Sequence, residues 1–330
     1  MIRFGIAGFG LHAVRRLMPG FALAQNCKVV ALSRRDTDKA REAAARFAIP
    51  QVFPSTEELC RCSDVDAVLV TTPNACHLPD VLTAVAAGKP VLCEKPMGMN
   101  AGECLRMIEA ARNAGVLLGV AQVFRFEEST KRLMERVAAG EIGRPMFARA
   151  EFSYPGIEHP RTWLYNRAVS GGGPIADVGV HCIDALRYIL QDEVVQVSAA
   201  GQSDAQSGDV ESTAILTLQF RRSALATVLV STRAHYRTPI ELVGDSGVLT
   251  ADDALNVEKP IRIGLWREGK LATEETVSNR LSYAKQVDAF AAALERGEAF
   301  PVPGEEGWKN QSAVDAAYRS LSSGKTENVQ

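Results

Sequence analysis

The chain has 330 residues, 46% of them hydrophobic, and its 37 lysines and arginines nearly balance 39 aspartates and glutamates. This length exceeds the size at which a single hydrophobic core usually stops growing, so we expect two domains. The balanced charge, without a basic stripe, argues against a nucleic-acid partner. A small neutral or phosphorylated metabolite fits this composition better.

The N-terminal stretch MIRFGIAGFG and the seven cysteines indicate the compartment. The stretch lacks the basic and apolar regions of a signal peptide, and no apolar run approaches the length that spans a membrane. The odd cysteine count, without a CxxC pair, is typical of reduced thiols. We therefore expect a cytoplasmic protein with no membrane contact, no disulfide and no structural zinc.

Apolar runs and helical patterns alternate through the first part of the chain. The runs are RFGIAG, KVVALS, DAVLVTT, PVLCE and GVLLGVA. Such alternation is typical of βαβ units, and strands that are apolar on both faces belong in a buried parallel sheet. Ser55, with Glu58 three residues later, and Asn100 are placed as helix N-caps. We predict a parallel-sheet α/β domain over residues 1–122.

After residue 122 the pattern changes. One helical stretch, EESTKRLMERVAAG, leads to FARAEFSY and then to SGGGPIADVGVHCIDALRYIL. Alternating strands follow in succession: VVQVSAAG, ESTAILTLQF, ALATVLVST and PIELVGD. Two helical patterns close the chain, the second ending at Gly324. Consecutive strands with tight turns predict an α+β domain with a large, mostly antiparallel open sheet over residues 123–330.

The turn after the first strand has the pattern GxGxxA. Its first glycine permits a tight turn, the second lets a pyrophosphate approach the backbone, and the small third residue lets helix and strand pack closely. At the end of the first strand of a βαβ unit, this pattern predicts a dinucleotide site. The predicted contacts are Gly8, Phe9, Gly10, Leu11 and His12.

The end of the second strand contains Ser33, Arg34 and Arg35. A site that prefers NAD usually has a carboxylate here, on the ribose hydroxyls. Two guanidinium groups instead suit a 2′-phosphate. In the alternative interpretation both arginines are solvated and Asp36 reaches the ribose. We predict NADP(H) as the preferred cofactor, with NAD(H) possible, and contacts from Ser33, Arg34 and Arg35.

The sequence Glu94-Lys95-Pro96 follows the fifth strand. In a parallel sheet it lies at the carboxyl ends of the strands, where ligands bind in open α/β folds. Pro96 restricts the backbone before it, so Lys95 sits on a rigid turn. Position alone still favours a solvated lysine, which is the common case at a strand end.

A second group of chemistry-bearing residues follows three successive glycines. The glycines permit close approach of the backbone to a ligand, and Pro174 suits the first position of a helix. Asp177 and His181 are then one turn apart on one face, which suits general acid–base work. A packed core histidine and a metal site are the alternatives. We expect no metal, and we expect Asp184 to be a structural hydrogen-bonding partner.

The motifs GxGxxA, TPNxxH, EKP and GGGxxxDxGxH, in this order and spacing, resemble the glucose-fructose oxidoreductase, inositol dehydrogenase and rhizopine catabolism (Gfo/Idh/MocA) family of oxidoreductases. The resemblance covers nearly the whole chain. It implies a Rossmann domain followed by an open-sheet domain, one face of which commonly forms the interface of a homo-dimer or homo-tetramer. It puts the catalytic lysine, aspartate and histidine on Lys95, Asp177 and His181, and it implies a cis Lys95–Pro96 bond.

The resemblance also implies further cofactor contacts. These come from Thr72, Pro73, Asn74, His77, Glu94 and Lys95. Similar arginines follow the second strand in family members that use NADP. Many sugar-reducing members carry Trp-Arg before the triple glycine, whereas this chain has Arg161-Thr162-Trp163; we expect Trp163 to line the nicotinamide pocket.

The implied activity is hydride transfer between nicotinamide and a secondary alcohol or ketone of a sugar, polyol or related cyclic compound. Lys95 would stabilise the substrate oxygen while His181 exchanges its proton and Asp177 orients His181. The opposite assignment, with Lys95 as proton donor, stays open. Two other functions also stay open: a nucleotide-sensing regulator without catalysis, and an NAD-dependent glycosidase. The joint presence of Lys95, Asp177 and His181 argues against the regulator.

Overall fold

The computed structural model describes residues 1–156, 160–222 and 224–330. Two compact units divide the chain. Unit 1 comprises Met1–Val123 with Leu281–Lys309, and unit 2 comprises Phe124–Arg280 with Asn310–Gln330. Segment 281–309, which the predicted division into 1–122 and 123–330 assigns to the second domain, clusters with the first unit.

Unit 1 contains a six-stranded sheet in the order β3-β2-β1-β4-β5-β6, and its strand pairs are parallel. The strands are β1 Ile2–Ala7, β2 Cys27–Ser33, β3 Gln51–Phe53, β4 Ala67–Val70, β5 Val91–Glu94 and β6 Leu118–Ala121. This is the Rossmann order, and it confirms the predicted parallel sheet. The carboxyl ends of β1 and β4 are adjacent where the strand order reverses, which is where ligands bind in such sheets.

Two helices of unit 1 begin at the predicted caps, Ser55 and Asn100. The helices up to residue 123 are α1 Met18–Phe21, α2 Thr37–Phe47, α3 Thr56–Arg61, α4 His77–Ala86 and α5 Ala101–Ala114. The Ser55 hydroxyl accepts a hydrogen bond from the Glu58 N–H, and the Asn100 side chain accepts one from the Glu103 N–H. Each cap satisfies a backbone donor that the first turn of a helix leaves without an intrahelical partner.

Helix α9, Ser282–Arg296, returns late in the sequence to unit 1. Its Phe290 ring packs 6.0 Å from Phe4 in β1 and 5.2 Å from Phe300. The Asp288 carboxylate accepts hydrogen bonds from the backbone N–H groups of Gln25 and Asn26. Apolar burial and these hydrogen bonds attach segment 281–309 to the first sheet. Local sequence patterns did not reveal this attachment.

Unit 2 is built on a nine-stranded sheet in the order β14-β13-β12-β11-β7-β10-β9-β8-β15. The strands are β7 Pro145–Ser153, β8 Val194–Gln202, β9 Thr213–Phe220, β10 Leu225–Ser231, β11 Ile240–Gly244, β12 Val248–Ala251, β13 Pro260–Arg267, β14 Lys270–Ser278 and β15 Glu327–Asn328. Strands β7 and β10 pair in parallel, and the other neighbours are antiparallel. The predicted, mostly antiparallel sheet is thus confirmed.

The other helices are α6 Glu128–Ala138, α7 Arg167–Ser170, α8 Val180–Leu190 and α10 Gly304–Ser323. Burial alternates along β9, so that one face of the sheet is covered and the other is open. Gly324 follows α10 with φ +67°, the left-handed conformation predicted for a helix stop. Across the described residues, the search for membrane spans found no helix with the necessary length and apolarity.

Candidate active site

The GxGxxA turn follows β1 at the reversal point of the sheet. Gly8 has φ +83°, and a Cβ added there would lie 2.7 Å from the Thr72 backbone nitrogen, so both conformation and space require glycine. At Gly10 an added Cβ would meet nothing closer than the Gly8 carbonyl oxygen at 3.6 Å. Gly10 thus leaves an open backbone surface, as a pyrophosphate contact requires, and this turn fits a dinucleotide.

Two of the predicted cofactor residues point their side chains into unit 1. Phe9 is fully buried and packs 6.0 Å from the ring of Phe47. Ser33 is also buried, and its carbonyl oxygen accepts hydrogen bonds from the N–H groups of Gly8 and Phe9. These contacts fix the shape of the turn. Leu11 and His12 are partly exposed beside it.

The strand end that follows Ser33 carries the two arginines. Arg34 Nη1 lies 3.4 Å from the Phe9 carbonyl oxygen, so this guanidinium group borders the turn. Asp36, the alternative ribose ligand, caps α2 by accepting the Lys39 N–H, and its carboxylate pairs with the Lys39 ammonium at 3.1 Å. The Lys39 N–H hydrogen bond also lowers the pKa of Asp36. Asp36 therefore has a structural role as the cap of α2.

Lys95 lies in unit 1 on the turn that ends β5. Its bond to Pro96 is cis, as the resemblance implied. The Lys95 N–H donates to Glu94 Oε2 at 3.2 Å, and Glu94 Oε1 accepts a hydrogen bond from His12 Nε2 at 2.9 Å. Glu94 therefore joins the lysine turn to the GxGxxA turn.

Glu94 is buried yet ionised. Burial raises the pKa of this carboxyl, but the charge and hydrogen bond of His12, together with Lys95, outweigh burial and lower the pKa below its ordinary value. A buried carboxylate next to Lys95 keeps a negative charge at the base of the turn. The sequence indicated Glu94 and His12 as separate cofactor contacts and gave no sign of this pair.

The loop after β4 carries the other predicted nicotinamide-side residues of unit 1. The Thr72 hydroxyl donates to Asp80 at 2.7 Å, Pro73 is half-buried, and Asn74 is buried. His77 is buried too, and its ring nitrogens lie 2.9 Å from the carbonyl oxygens of Pro96 and Thr72. Its side chain therefore contacts the protein backbone, whereas the resemblance implied a cofactor contact.

Asp177 and His181 belong to unit 2. Residues Ile175–Gly179 form a π-helical segment, in which the Val180 N–H bonds to the Ile175 carbonyl oxygen five residues earlier. A helix begins at Pro174, as predicted, but its first turn is π-helical and the α-helical part, α8, begins at Val180. Such wide turns often occur at functional sites.

Tyr154 follows β7 and contacts Asp177. Its hydroxyl donates to Asp177 Oδ2 at 2.6 Å. Burial is the largest cause that raises the pKa of Tyr154, and the Asp177 carboxylate raises it further. Tyr154 consequently stays protonated and keeps donating to Asp177 across the ordinary pH range.

The His181 ring lies among aromatic side chains. Its centroid is 4.2 Å from that of Phe124 with an interplanar angle of 30°, and 6.2 Å from that of Phe152 with an angle of 24°. His181 itself is buried. The close aromatic contact with Phe124 limits rotation of the ring, which is useful for a residue that exchanges protons in a fixed direction.

The glycine run that precedes Asp177 has a packing role. A Cβ on Gly172 would collide with the Tyr318 hydroxyl, and one on Gly173 would collide with the Glu211 carbonyl oxygen. The Glu211 carboxylate accepts hydrogen bonds from the N–H groups of Gly173 and Ile175 and from Tyr318. The expectation that these glycines admit a ligand is wrong for Gly172 and Gly173, because the protein itself fills that space.

Asp184 has the structural role that the sequence predicted. Arg125 binds its carboxylate through Nε at 2.9 Å and Nη2 at 2.7 Å, and Arg187 approaches at 3.4 Å.

Trp163 lies in the short turn Thr162–Tyr165, with the Arg161 guanidinium 6.0 Å from its ring centroid. The arginine next to Trp163 thus comes from two residues earlier in the chain.

Sequence patterns missed Tyr154 and Glu211. Tyr154 follows β7 directly and precedes a proline. Glu211 lies 36 residues beyond Ile175, whose N–H donates to it. Neither belongs to a local motif, so only the strand pairing of unit 2 reveals them. An acidic residue just before a strand was the one available signal for Glu211.

Two family models match the chain. The model described as "Oxidoreductase family, NAD-binding Rossmann fold" matches residues 2–122, and the model described as "GFO/IDH/MocA C-terminal domain" matches residues 130–250. The chain belongs to the GFO/IDH/MocA oxidoreductase family. The open backbone at Gly10 and the cis Lys95–Pro96 turn are therefore parts of an NAD(P)-dependent oxidoreductase.

Characterised relatives cover nearly the full length of this GFO/IDH/MocA member. Myo-inositol 2-dehydrogenase of Thermotoga maritima is 30% identical over 97% of this chain and 96% of its own. D-xylose 1-dehydrogenase (NADP(+)) 2 of Haloferax volcanii is 30% identical over 97% and 98%. The crystal structure of aldose-aldose oxidoreductase from Caulobacter crescentus is 27% identical, covers 99% of both chains and has a TM-score of 0.92.

Proposed function

We propose that the protein is an NADP(H)-dependent oxidoreductase that transfers hydride between nicotinamide and a secondary alcohol or ketone of a sugar, polyol or related cyclic compound. The observation that carries this proposal is the 2.9 Å contact between His12 and Glu94, which ties the GxGxxA turn to the turn of Lys95. Bound nicotinamide supplies or accepts the hydride. Residues of the protein handle the proton and the charge on the substrate oxygen.

Three side chains share that work. Lys95, a cation on a rigid turn, stabilises the alkoxide-like oxygen. His181, packed against Phe124 and close to Phe152, exchanges the hydroxyl proton. Asp177 orients and tunes His181, and Tyr154 holds the Asp177 carboxylate. In this proposal unit 1 binds the cofactor and unit 2 supplies the proton-transfer groups.

NADP preference follows from Arg34 and Arg35, because guanidinium groups bind a 2′-phosphate in bidentate geometry. The test compares dissociation constants for NADPH and NADH. Replacing Arg34 or Arg35 by Ala should raise the Kd for NADPH about tenfold and leave that for NADH nearly unchanged. Arg41→Ala on the exposed side of α2 is the matched control. A wild-type Kd for NADPH that is no lower than that for NADH contradicts the preference.

The substrate class is supported by relatives that act on myo-inositol, D-xylose and aldoses. A panel of these compounds with NADP⁺, and of the corresponding oxidised compounds with NADPH, tests the class by nucleotide absorbance. Turnover with at least one member supports the proposal. NADPH binding without turnover points to a nucleotide sensor. Glycoside cleavage with retained nucleotide and no net redox points to a glycosidase. Either result contradicts the proposed oxidoreductase activity.

The open face of the unit 2 sheet serves as the interface of a homo-dimer or homo-tetramer. Phe147 and Leu225 are 52% and 49% exposed and lie side by side in register on β7 and β10. Ile215, 48% exposed, lies opposite Leu229 on the same face. An exposed apolar patch on a sheet is typical of an association surface. Sedimentation should show an oligomer that Phe147→Glu with Leu225→Glu dissociates; a monomeric wild type contradicts the proposal.

A further inference from the structure

His77 connects two loops of unit 1. The residue is 1% exposed, its Nδ1 lies 2.9 Å from the Pro96 carbonyl oxygen, and its Nε2 lies 2.9 Å from the Thr72 carbonyl oxygen. Carbonyl oxygens only accept hydrogen bonds, so each contact is a hydrogen bond when the ring nitrogen that makes it carries a proton. One side chain therefore joins the loop after β4 to the turn after β5.

The two carbonyls belong to segments with different tasks. Pro96 follows Lys95 directly, so a contact that holds the Pro96 carbonyl group also holds the backbone of the lysine turn. Thr72 packs against the GxGxxA turn: an added Cβ on Gly8 would lie 2.7 Å from the Thr72 backbone, and the Thr71 hydroxyl donates to the Gly8 carbonyl oxygen at 2.9 Å. One contact of His77 thus leads to the catalytic lysine and the other leads to the dinucleotide turn.

We propose that His77 is a positioning residue that serves the two segments through separate ring nitrogens. Its Nδ1 holds the Pro96 carbonyl and thereby the direction of Lys95, and its Nε2 holds the Thr72 loop and thereby the dinucleotide turn. The part of this inference that concerns Lys95 rests on the proposed function. The part that concerns the dinucleotide turn rests only on nucleotide binding.

The surroundings of His77 determine how it makes the two contacts. Burial is the largest effect and lowers the pKa of His77 below its ordinary value, although the carbonyl oxygens of Pro96 and Thr72 and the carboxylates of Glu94 and Asp80 act in the opposite direction. A neutral ring donates through one nitrogen at a time, and a doubly protonated ring donates through both. In either form the contacts involve different atoms, so substitution can remove one and keep the other.

Asn and Gln separate the two contacts. The Asn amide nitrogen lies near the Nδ1 position and the Gln amide nitrogen near the Nε2 position, so His77→Asn keeps the Pro96 contact and His77→Gln keeps the Thr72 contact. NADPH dissociation constants from fluorescence titration, and kcat at saturating NADPH, are measured on the full chain. His77→Asn should raise the Kd about tenfold and leave kcat within about threefold, and His77→Gln should do the reverse.

Val81→Ala is the matched control, because Val81 is fully buried on the same helix, α4, and its side chain makes no hydrogen bond. It should lower the midpoint of thermal unfolding without separating Kd from kcat. A purely structural role of His77 predicts that both substitutions change Kd and kcat together, in proportion to lost stability. That result would overturn the proposal.

Two further measurements apply if neither variant folds or if the wild type has no redox activity. If neither variant folds, NMR of the wild-type protein should show a slowly exchanging ring N–H of His77 near neutral pH, and its absence would overturn the proposal. If the wild type has no redox activity, the proposed function fails. The Kd comparison, with amide exchange over residues 70–76 and 94–99, then still tests His77: His77→Asn should loosen the first segment and His77→Gln the second.

Discussion

Tyr154 donates a hydrogen bond to Asp177 Oδ2 at 2.6 Å, and so links the end of β7 to the π-helical segment that carries the carboxylate. The hydroxyl stays protonated because burial and Asp177 both raise the pKa of Tyr154. Asp177 is therefore held by a permanent donor. Its orientation depends on a residue that no motif in the sequence marks.

Tyr154→Phe tests this support for Asp177. Removing the hydroxyl deletes a hydrogen bond to a charged group, so kcat should fall roughly tenfold or more, with little change in NADPH affinity. Steady-state kinetics with the best substrate of the panel provide the measurement. Tyr188→Phe, which removes a hydroxyl from α8, is the control and should keep near-normal turnover. Equal activity of Tyr154→Phe and wild type would show that Asp177 does not need this donor.

Glu94→Gln tests the ionised carboxylate beneath Lys95. The pKa of Glu94 in the folded protein lies below its ordinary value of 4.5, so the charge stabilises the fold above that pH and the contribution disappears as pH falls through the folded-state pKa. At pH 7 the variant should be less stable by about 1–2 kcal/mol. Urea unfolding at pH 7 and at pH 3.5 measures the difference, which should shrink at the lower pH. A difference that is independent of pH contradicts the assigned charge.

Asp184→Ala tests the buried ion cluster of unit 2. The carboxylate binds Arg125 in a bidentate manner and also contacts Arg187, and its side chain is 1% exposed. Removing it should lower the free energy of unfolding by roughly 3–5 kcal/mol, because two guanidinium groups lose a buried counter-charge. Denaturant titration gives the value. Asp184→Asn keeps an acceptor and should cost less; equal losses would argue against a charge effect.

Gly172→Ala separates packing from ligand approach. Its Cβ would collide with the Tyr318 hydroxyl, so the variant should lose about 1–3 kcal/mol of stability. Adding Tyr318→Phe removes the nearest obstructing atom but leaves the ring carbon Cζ, which would also collide with the added Cβ, so it should restore only a small part of that loss. Calorimetry of the single and double variants decides the matter. If the single variant keeps its stability and loses only substrate affinity, the glycine serves a ligand after all.

Features set by local chemistry could be predicted from the sequence. The Ser55 and Asn100 caps depend on a neighbour three residues away, and the Gly8 turn depends on a conformation that favours glycine. The second unit's strands 194–202 and 213–220 followed from alternation alone. Each of these signals lies within a few residues of the structure that it predicts.

Features set by distant contacts could not be predicted in this way. Glu94 meets His12 across 82 residues, and Phe290 of α9 meets Phe4 after most of the chain has intervened. The π-helical segment before α8 had no local sign either. Its start is fixed by the Glu211 carboxylate, 36 residues beyond Ile175. Such pairings appear only when the sheets are assembled.

The central claim is that Lys95 stabilises charge during hydride transfer. Turnover of Lys95→Ala, measured with saturating NADPH and the best substrate of the panel, tests it most directly. We expect kcat to fall by about 10²–10⁴-fold while the Kd for NADPH stays within about threefold of the wild-type value, because the lysine acts on the reacting oxygen. Near-normal turnover in this variant, with NADPH bound, would contradict the claim.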